Sequence, residues 1–187
     1  MADIARRNLG AFAHVEVRNA RFEDDPFAPA SFGLATCAQA YHWLDASSRI
    51  ERFARALRPA GTAAIIANVQ VTPEHNLAFW VRVNDVYREH TPGMEHQGDF
   101  RRPDDFPPHP FEGTDLFTDL EQRGHAWHWT LATDDYLGLC ATHSNKAALD
   151  PEIRARLLTG IGELIDAEFG GHVTEYYVAL VGLARKR

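Results

Sequence analysis

Apolar residues along this chain alternate between two spacings, and the changes of spacing mark its elements. Phe32 to Ala38 is short, continuously apolar and bounded by turn residues. That is the pattern of a strand buried on both faces of a parallel sheet, although periodicity alone also fits a buried helical turn. Ile50, Phe53, Ala54 and Leu57 then recur at i, i+3, i+4 and i+7, which predicts an amphipathic helix with Asp45 as its cap. Pro59 and Gly61 stop that helix, and Thr62 to Val69 supplies a second β-type run. Strand, helix and strand with short connections make a right-handed βαβ unit, and hence an α/β fold.

The same reading extends to both sides. Residues 2–10 predict a short helix closed by Gly10, and His14 to Arg18, with Val15 and Val17 alternating, predicts a strand. Thr72-Pro73 opens a further helix whose stripe is Phe79, Trp80, Val83, Val86 and Tyr87. Residues 90–113 are rich in Pro, Gly, His and Asp and form the longest irregular stretch, a lid or a mobile surface loop. Leu116 to Leu120 reads as a short helix, and Trp127, Trp129 and Leu131 as one face of a half-buried strand. Asp134 to His143 reads as helical, and Asp150-Pro151 opens the most regular helix, which Gly170-Gly171 closes. Val173 to Ala184 is apolar on both faces and belongs inside a sheet.

Composition narrows the classes. The 187 residues suit one domain, and 45% hydrophobic with 24% charged residues is ordinary for a soluble globular chain. A formal charge of -7, with no stripe of Lys and Arg, argues against nucleic acid as a partner. Two cysteines, Cys37 and Cys140, are too few for a disulfide framework or a cysteine-based zinc site, which fits a reducing, cytoplasmic setting. No apolar stretch approaches the length that spans a membrane. His125 and His128, three apart on a predicted strand, face opposite ways, and His90, His96 and His109 follow no ligand pattern, so a metal is not expected.

Three short motifs in order carry a resemblance. Phe22-Glu23-Asp24 is an acidic turn after a predicted strand, Ala40-Tyr41-His42-Trp43-Leu44 follows the next strand, and Leu57-Arg58-Pro59-Ala60-Gly61 precedes the one after. Together they resemble the later half of a class I S-adenosylmethionine-dependent methyltransferase of the small-molecule type. Ala60 stands where that family usually has a glycine. The resemblance implies a Rossmann-like fold, mostly parallel with an antiparallel last strand, running as one domain over residues 1–187. Residues 14–18, 32–38, 62–69, 125–132 and 173–184 would be its third to seventh strands, with residues 73–122 an acceptor-site insertion or lid. The lid's aromatic residues would be Phe79, Trp80, Tyr87, Phe100, Phe106 and Phe111, about half of them core.

The family's first two strands, with a Gly-x-Gly turn and a ribose-binding acid, have no counterpart here, so the resemblance is to an N-terminally truncated form. Gly160-Ile161-Gly162 lies in a helical pattern with no strand ahead of it and is a chance match. The cofactor would be S-adenosylmethionine, with Phe22, Glu23, Cys37, Ala38 and Gln39 as its wall, because ligands bind beyond the carboxyl ends of parallel strands. Glu23 also reads as a solvated turn acid, and Cys37 as a small buried hydrophobe. His42 is the one candidate for proton transfer, against a plainer reading in which it packs beside Trp43, itself core or pocket wall. Two functions follow: methyl transfer to a small-molecule acceptor, or a non-enzymatic remnant that binds a ligand or partner chain. Without the first two strands the edge of residues 32–38 is open; it must pair with residues 14–18, associate with a second copy, or aggregate.

Overall fold

A computed structural model describes residues 2–94 and 105–187. His96 and Phe100 lie outside the described residues. The elements are α1 (Ala2–Leu9), β1 (Phe32–Ala38), α2 (Arg49–Ala56), β2 (Leu57–Val71), α3 (Leu77–His90), β3 (Phe117–Ala132), α4 (Thr133–Thr142), α5 (Ser144–Ala147), α6 (Pro151–Glu168) and β4 (His172–Lys186). The four strands form one sheet in the order β1-β2-β4-β3. β1 and β2 are parallel, with Leu34 to Ala38 paired in register against Thr62 to Ile66.

β4 runs the other way. The Arg187 N–H donates to the Leu116 carbonyl at 3.2 Å, and Thr130 meets Thr174 at 2.9 Å, so the end of β4 lies against the start of β3. On its other side Lys186 Nζ donates to the Leu57 carbonyl at 2.6 Å while Gln70 Nε2 donates to Glu175. The last strand is therefore antiparallel to three strands that share one direction, as expected.

The chain packs as two compact units. The first holds residues 1–66, 109–122 and 182–187; the second holds 67–108 and 123–181. In the first, Phe53, Leu57, Ala63, Ile65, Phe111 and Phe117 form the core, with Phe22, Tyr41 and Ile50 packed on it. Phe53 sits between the rings of Phe22 (5.2 Å) and Phe111 (5.8 Å), distances at which aromatic pairs attract. In the second, α6 packs on α3 and α4, burying Leu157, Ile161 and Ile165 against Phe79, Val83 and Tyr136. Asp150 caps α6 by accepting from the N–H groups of Glu152 and Ile153, at 2.9 and 3.4 Å. Gly170 and Gly171 end it at φ 64° and 77°, a conformation that costs a side-chain-bearing residue more than glycine.

Several sequence expectations need correction. Residues 14–18 form no strand; the segment is largely exposed, with Arg18 paired to Glu16 and Asp25 and the Val17 carbonyl accepting from Arg6 of α1. A lone alternating run needs a neighbouring strand to pair with, and among the described strands β1 pairs with β2. β1 forms where predicted but is an edge strand, not buried on both faces: Phe32 is 45% and Leu34 58% exposed.

The turn expected at residues 57–61 is a bulge within β2. Phe32 pairs with Leu57 but Leu34 with Thr62, so four residues of β2 stand opposite Gly33. Ala60 takes φ +59° in that bulge, which explains the glycine the resemblance leads one to expect there. A Cβ on Gly61 would fall 2.9 Å from the Arg58 carbonyl oxygen.

Leu116 to Leu120 belongs largely to β3 rather than to a helix, because the chain from Phe117 onward is a strand beside β4. β3 is also an edge, so Trp127 and Trp129 are exposed rather than half-buried. α3 starts at Leu77 after a 3-10 turn at Glu74–Asn76, without a side-chain cap from Thr72. Before α2, Asp45 organises the turn by accepting from Ser47 and Ser48 but is not the capping position, which is Ser48.

Candidate cofactor cleft

The first unit carries a cleft of about 410 Å³ between the segment 20–27 and β1, floored by Phe53 and Ala56 of α2. Its lining is mostly apolar: Phe22, Phe27, Phe32, Leu34 and Leu44, with Thr36, Arg21 and Asp25 as the polar groups. The segment 20–27 is held by α2. Arg52 donates to the Asp25 carbonyl at 2.9 Å and lies over the rings of Phe22 and Phe27, at 5.3 and 5.1 Å from their centroids. Stacked against two rings, a guanidinium gains a cation–π attraction that fixes both walls.

Of the predicted site residues, Phe22 and Cys37 line this cleft. Glu23 stands beside it. Its Oε1 accepts the Asp45 backbone N–H at 3.1 Å, which ties the turn after Phe22 to the loop after β1. That hydrogen bond lowers the Glu23 pKa below the usual carboxylate value, since it favours the charged form. Burial pushes the Cys37 thiol up, away from the thiolate a nucleophile needs.

Ala38 and Gln39 close β1. Gln39 turns the chain with φ +55°, and its N–H donates to the Ile66 carbonyl at 2.9 Å. His42 lies in the 3-10 turn Tyr41–Trp43, exposed, with its ring 4.9 Å from Trp43. Trp43 is neither core nor cleft wall: it is 79% exposed and does not line the cleft.

Tyr41, rather than His42, is the anchored residue of that motif. Its hydroxyl donates to the Pro110 carbonyl at 3.1 Å, and Arg49 sits 4.2 Å from its ring centroid while donating to its carbonyl. His109 is structural too: its Nδ1 accepts from the Phe111 N–H, so its Nε2–H donates to the Leu183 carbonyl at 3.0 Å. Phe79, Trp80, Tyr87 and Phe111 are core, whereas Phe106 is exposed. Among the described residues, no three His, Cys, Asp or Glu side chains gather as metal ligands would.

A family profile described as a methyltransferase domain matches residues 1–65. That match spans 65 of the 187 residues, and the fold is one shared with solved structures. The YcgJ protein of Bacillus subtilis has this fold at TM-score 0.56 and 17% identity, over 100% of this chain and 78% of its own. A protein assigned as a type II methyltransferase from Anaeromyxobacter dehalogenans superposes at 0.54 with 19% identity, over 92% and 72%. One assigned as a methyltransferase from Bacillus halodurans reaches 0.50 with 22% identity, over 99% and 78%. The search of curated proteins finds no match. At these identities the structures speak for the fold alone.

Sequence reasoning missed a polar cluster in the second unit. Glu175, 3% exposed, accepts from Gln70, with the Tyr136 and Tyr177 hydroxyls as further donors. Lys146 is 6% exposed. The signal was available: a glutamate inside an otherwise apolar strand run, Val173 to Ala184, is unusual enough to ask for a partner.

Proposed function

We propose that this chain works in S-adenosylmethionine-dependent methyl transfer to a small-molecule acceptor. The observation that carries this reading is the Glu23–Asp45 hydrogen bond, 3.1 Å long, which joins the two segments the family places around its cofactor. It does so beside an apolar, aromatic cleft. S-adenosylmethionine, the family's cofactor, supplies an activated methyl group when bound. The cleft's size and its Phe22, Phe27 and Phe53 rings suit an adenine, within the roughly 300–1,000 Å³ typical of ligand sites. The methionine end finds no such fit in this sequence: before residue 60 the glycines are Gly10 and Gly33 only, and neither forms a Gly-x-Gly turn. His42 is the candidate base, with Phe22, Glu23, Cys37, Ala38 and Gln39 as the candidate wall. Two free cysteines suit a cytoplasmic setting, and no helix among the described residues is long and apolar enough to cross a membrane.

Calorimetric titration with S-adenosylhomocysteine tests the reading. Binding with Kd near or below about 0.1 mM, roughly 5.5 kcal/mol, supports it if Phe22→Ala weakens it. Absence of binding at millimolar ligand overturns it.

A second reading, in which the chain pairs with a partner, is favoured by β1. Among the described residues this strand has one neighbour in the sheet, and it presents Phe32 and Leu34 to solvent. An unpaired edge of this kind is a template for another strand. Light scattering across a hundredfold range of concentration checks it. Self-association that Leu34→Lys abolishes supports the reading, and a monomer throughout contradicts a second copy as that partner.

A further inference from the structure

The second unit contains a largely enclosed cavity of about 160 Å³, bounded by the end of β2, the start of β4 and helices α3, α4 and α5. Two buried side chains of opposite charge line it, Lys146 and Glu175. Among the described residues they form no ion pair with each other. The Lys146 ammonium has three N–H donors, and the protein gives it the His143 Nδ1 at 3.2 Å and the face of Tyr87, 5.5 Å from the ring centroid. No carboxylate meets it. Burying an ammonium with so little compensation is costly unless something else satisfies it.

Glu175 is better provided for, with Gln70, Tyr136 and Tyr177 as donors, yet two carboxylate oxygens can accept about four hydrogen bonds. Burial raises its pKa and that of Tyr177, the latter pushed up to about 12, and lowers those of Lys146 and His143. Burial is the largest cause of each of these shifts, and the four groups line one small space.

We propose that this cavity binds a small amino acid, its carboxylate on Lys146 and Asn145 and its ammonium towards Glu175. Complementarity selects the class. A phosphate would meet the Glu175 carboxylate, a simple amine would meet Lys146, and only a zwitterion satisfies both poles at once. Size selects further: the space holds a handful of waters at about 30 Å³ each, enough for glycine or alanine but well below the roughly 300 Å³ at which drug-sized or nucleotide sites begin. The tyrosine walls exclude water and so strengthen both charge interactions. This inference rests on the second unit alone and stands whether or not the first unit binds S-adenosylmethionine.

The test is calorimetry or ligand-observed NMR on the full chain with glycine, L-alanine, acetate, methylamine and inorganic phosphate, without any cofactor. Glycine or L-alanine is expected to bind at least about tenfold more tightly than acetate, methylamine or phosphate. Lys146→Met and Glu175→Gln should each weaken that binding by about tenfold or more while circular dichroism stays that of the wild type. If a variant fails to fold, the wild-type ligand series decides the matter alone. Acetate binding as well as glycine would overturn the zwitterion assignment, since Glu175 would then contribute nothing. Failure of both amino acids to bind at about 10 mM, a free energy under roughly 3 kcal/mol, would overturn the site.

Discussion

The two units of this chain are built on opposite plans. The first holds the segment that matches the methyltransferase-domain profile, residues 1–65, yet it is the more open: α1 buries no side chain, β1 is an exposed edge, and its cleft is a wide apolar trough. The second lies wholly outside that segment and is the better sealed, with Leu157, Ile161 and Ile165 fully covered and a charged pair shut inside. What is most recognisable is thus not what is most completely built. Short motifs persist because backbone turns and a few contacts need them, whereas a sealed polar cavity is assembled from residues scattered from Gln70 to Tyr177 and leaves no motif behind.

The contrast can be broken first by packing. Ile161→Ala should cost about 2–5 kcal/mol and Phe111→Ala about 3–5, read from chemical denaturation, because each empties a closed core. Leu34→Ala should fall within about 0.5 kcal/mol, since the side chain is 58% exposed. A Leu34→Ala cost approaching that of Ile161→Ala would mean that the face of β1 is covered and the units are not so different.

Smaller effects sharpen it. Asp150→Ala removes the acceptor of two helix N–H groups and should cost about 1 kcal/mol, lowering the melting temperature of α6 and its neighbours. In the first unit Ala60→Gly should instead stabilise, by about 0.5–1 kcal/mol, because it relieves φ +59° at the bulge; an unchanged or lower melting temperature would argue against that strain.

The smallest signal is a slope. Glu175 has a folded pKa raised by burial above its ordinary 4.5, so the folded state holds the proton more tightly than the unfolded one. Its contribution to stability is complete below pH 4.5 and is lost as pH rises through the raised value. Glu23, lowered by its hydrogen bond to Asp45, runs the other way: its contribution is present above 4.5 and is lost as pH falls. Denaturation of Glu175→Gln across pH 4 to 8 should therefore lose a downward slope of at most about one proton, and Glu23→Gln an upward one at the acid end.

Much of the fold was legible because it is written locally. The i, i+3, i+4, i+7 stripe fixed α2, Asp150-Pro151 fixed the start of α6, and the apolar run after Gly171 placed β4 inside the sheet. The failures concern partners that no local pattern names. Val15 and Val17 alternate like a strand, but pairing is decided by neighbours, and none of the described strands lies beside them. Continuous apolar sequence at Phe32 to Ala38 predicted burial on both faces, yet exposure depends on what lies beyond the sheet edge. In the candidate site, Phe22 and Cys37 line the cleft, while the anchoring hydrogen bond falls on Tyr41 rather than on the more conspicuous His42. Lys146 escaped because it looks like an ordinary surface charge until the helices around it are in place, whereas Glu175 was marked by its place in an apolar run.

Hydrogen–deuterium exchange with and without S-adenosylhomocysteine addresses the central claim, that the cofactor-facing part of this chain is the first unit. Slower exchange confined to residues 20–27 and 37–45, and lost in Phe22→Ala, is the result predicted. Protection that instead falls on α4 to α6, or none at millimolar ligand, would contradict it.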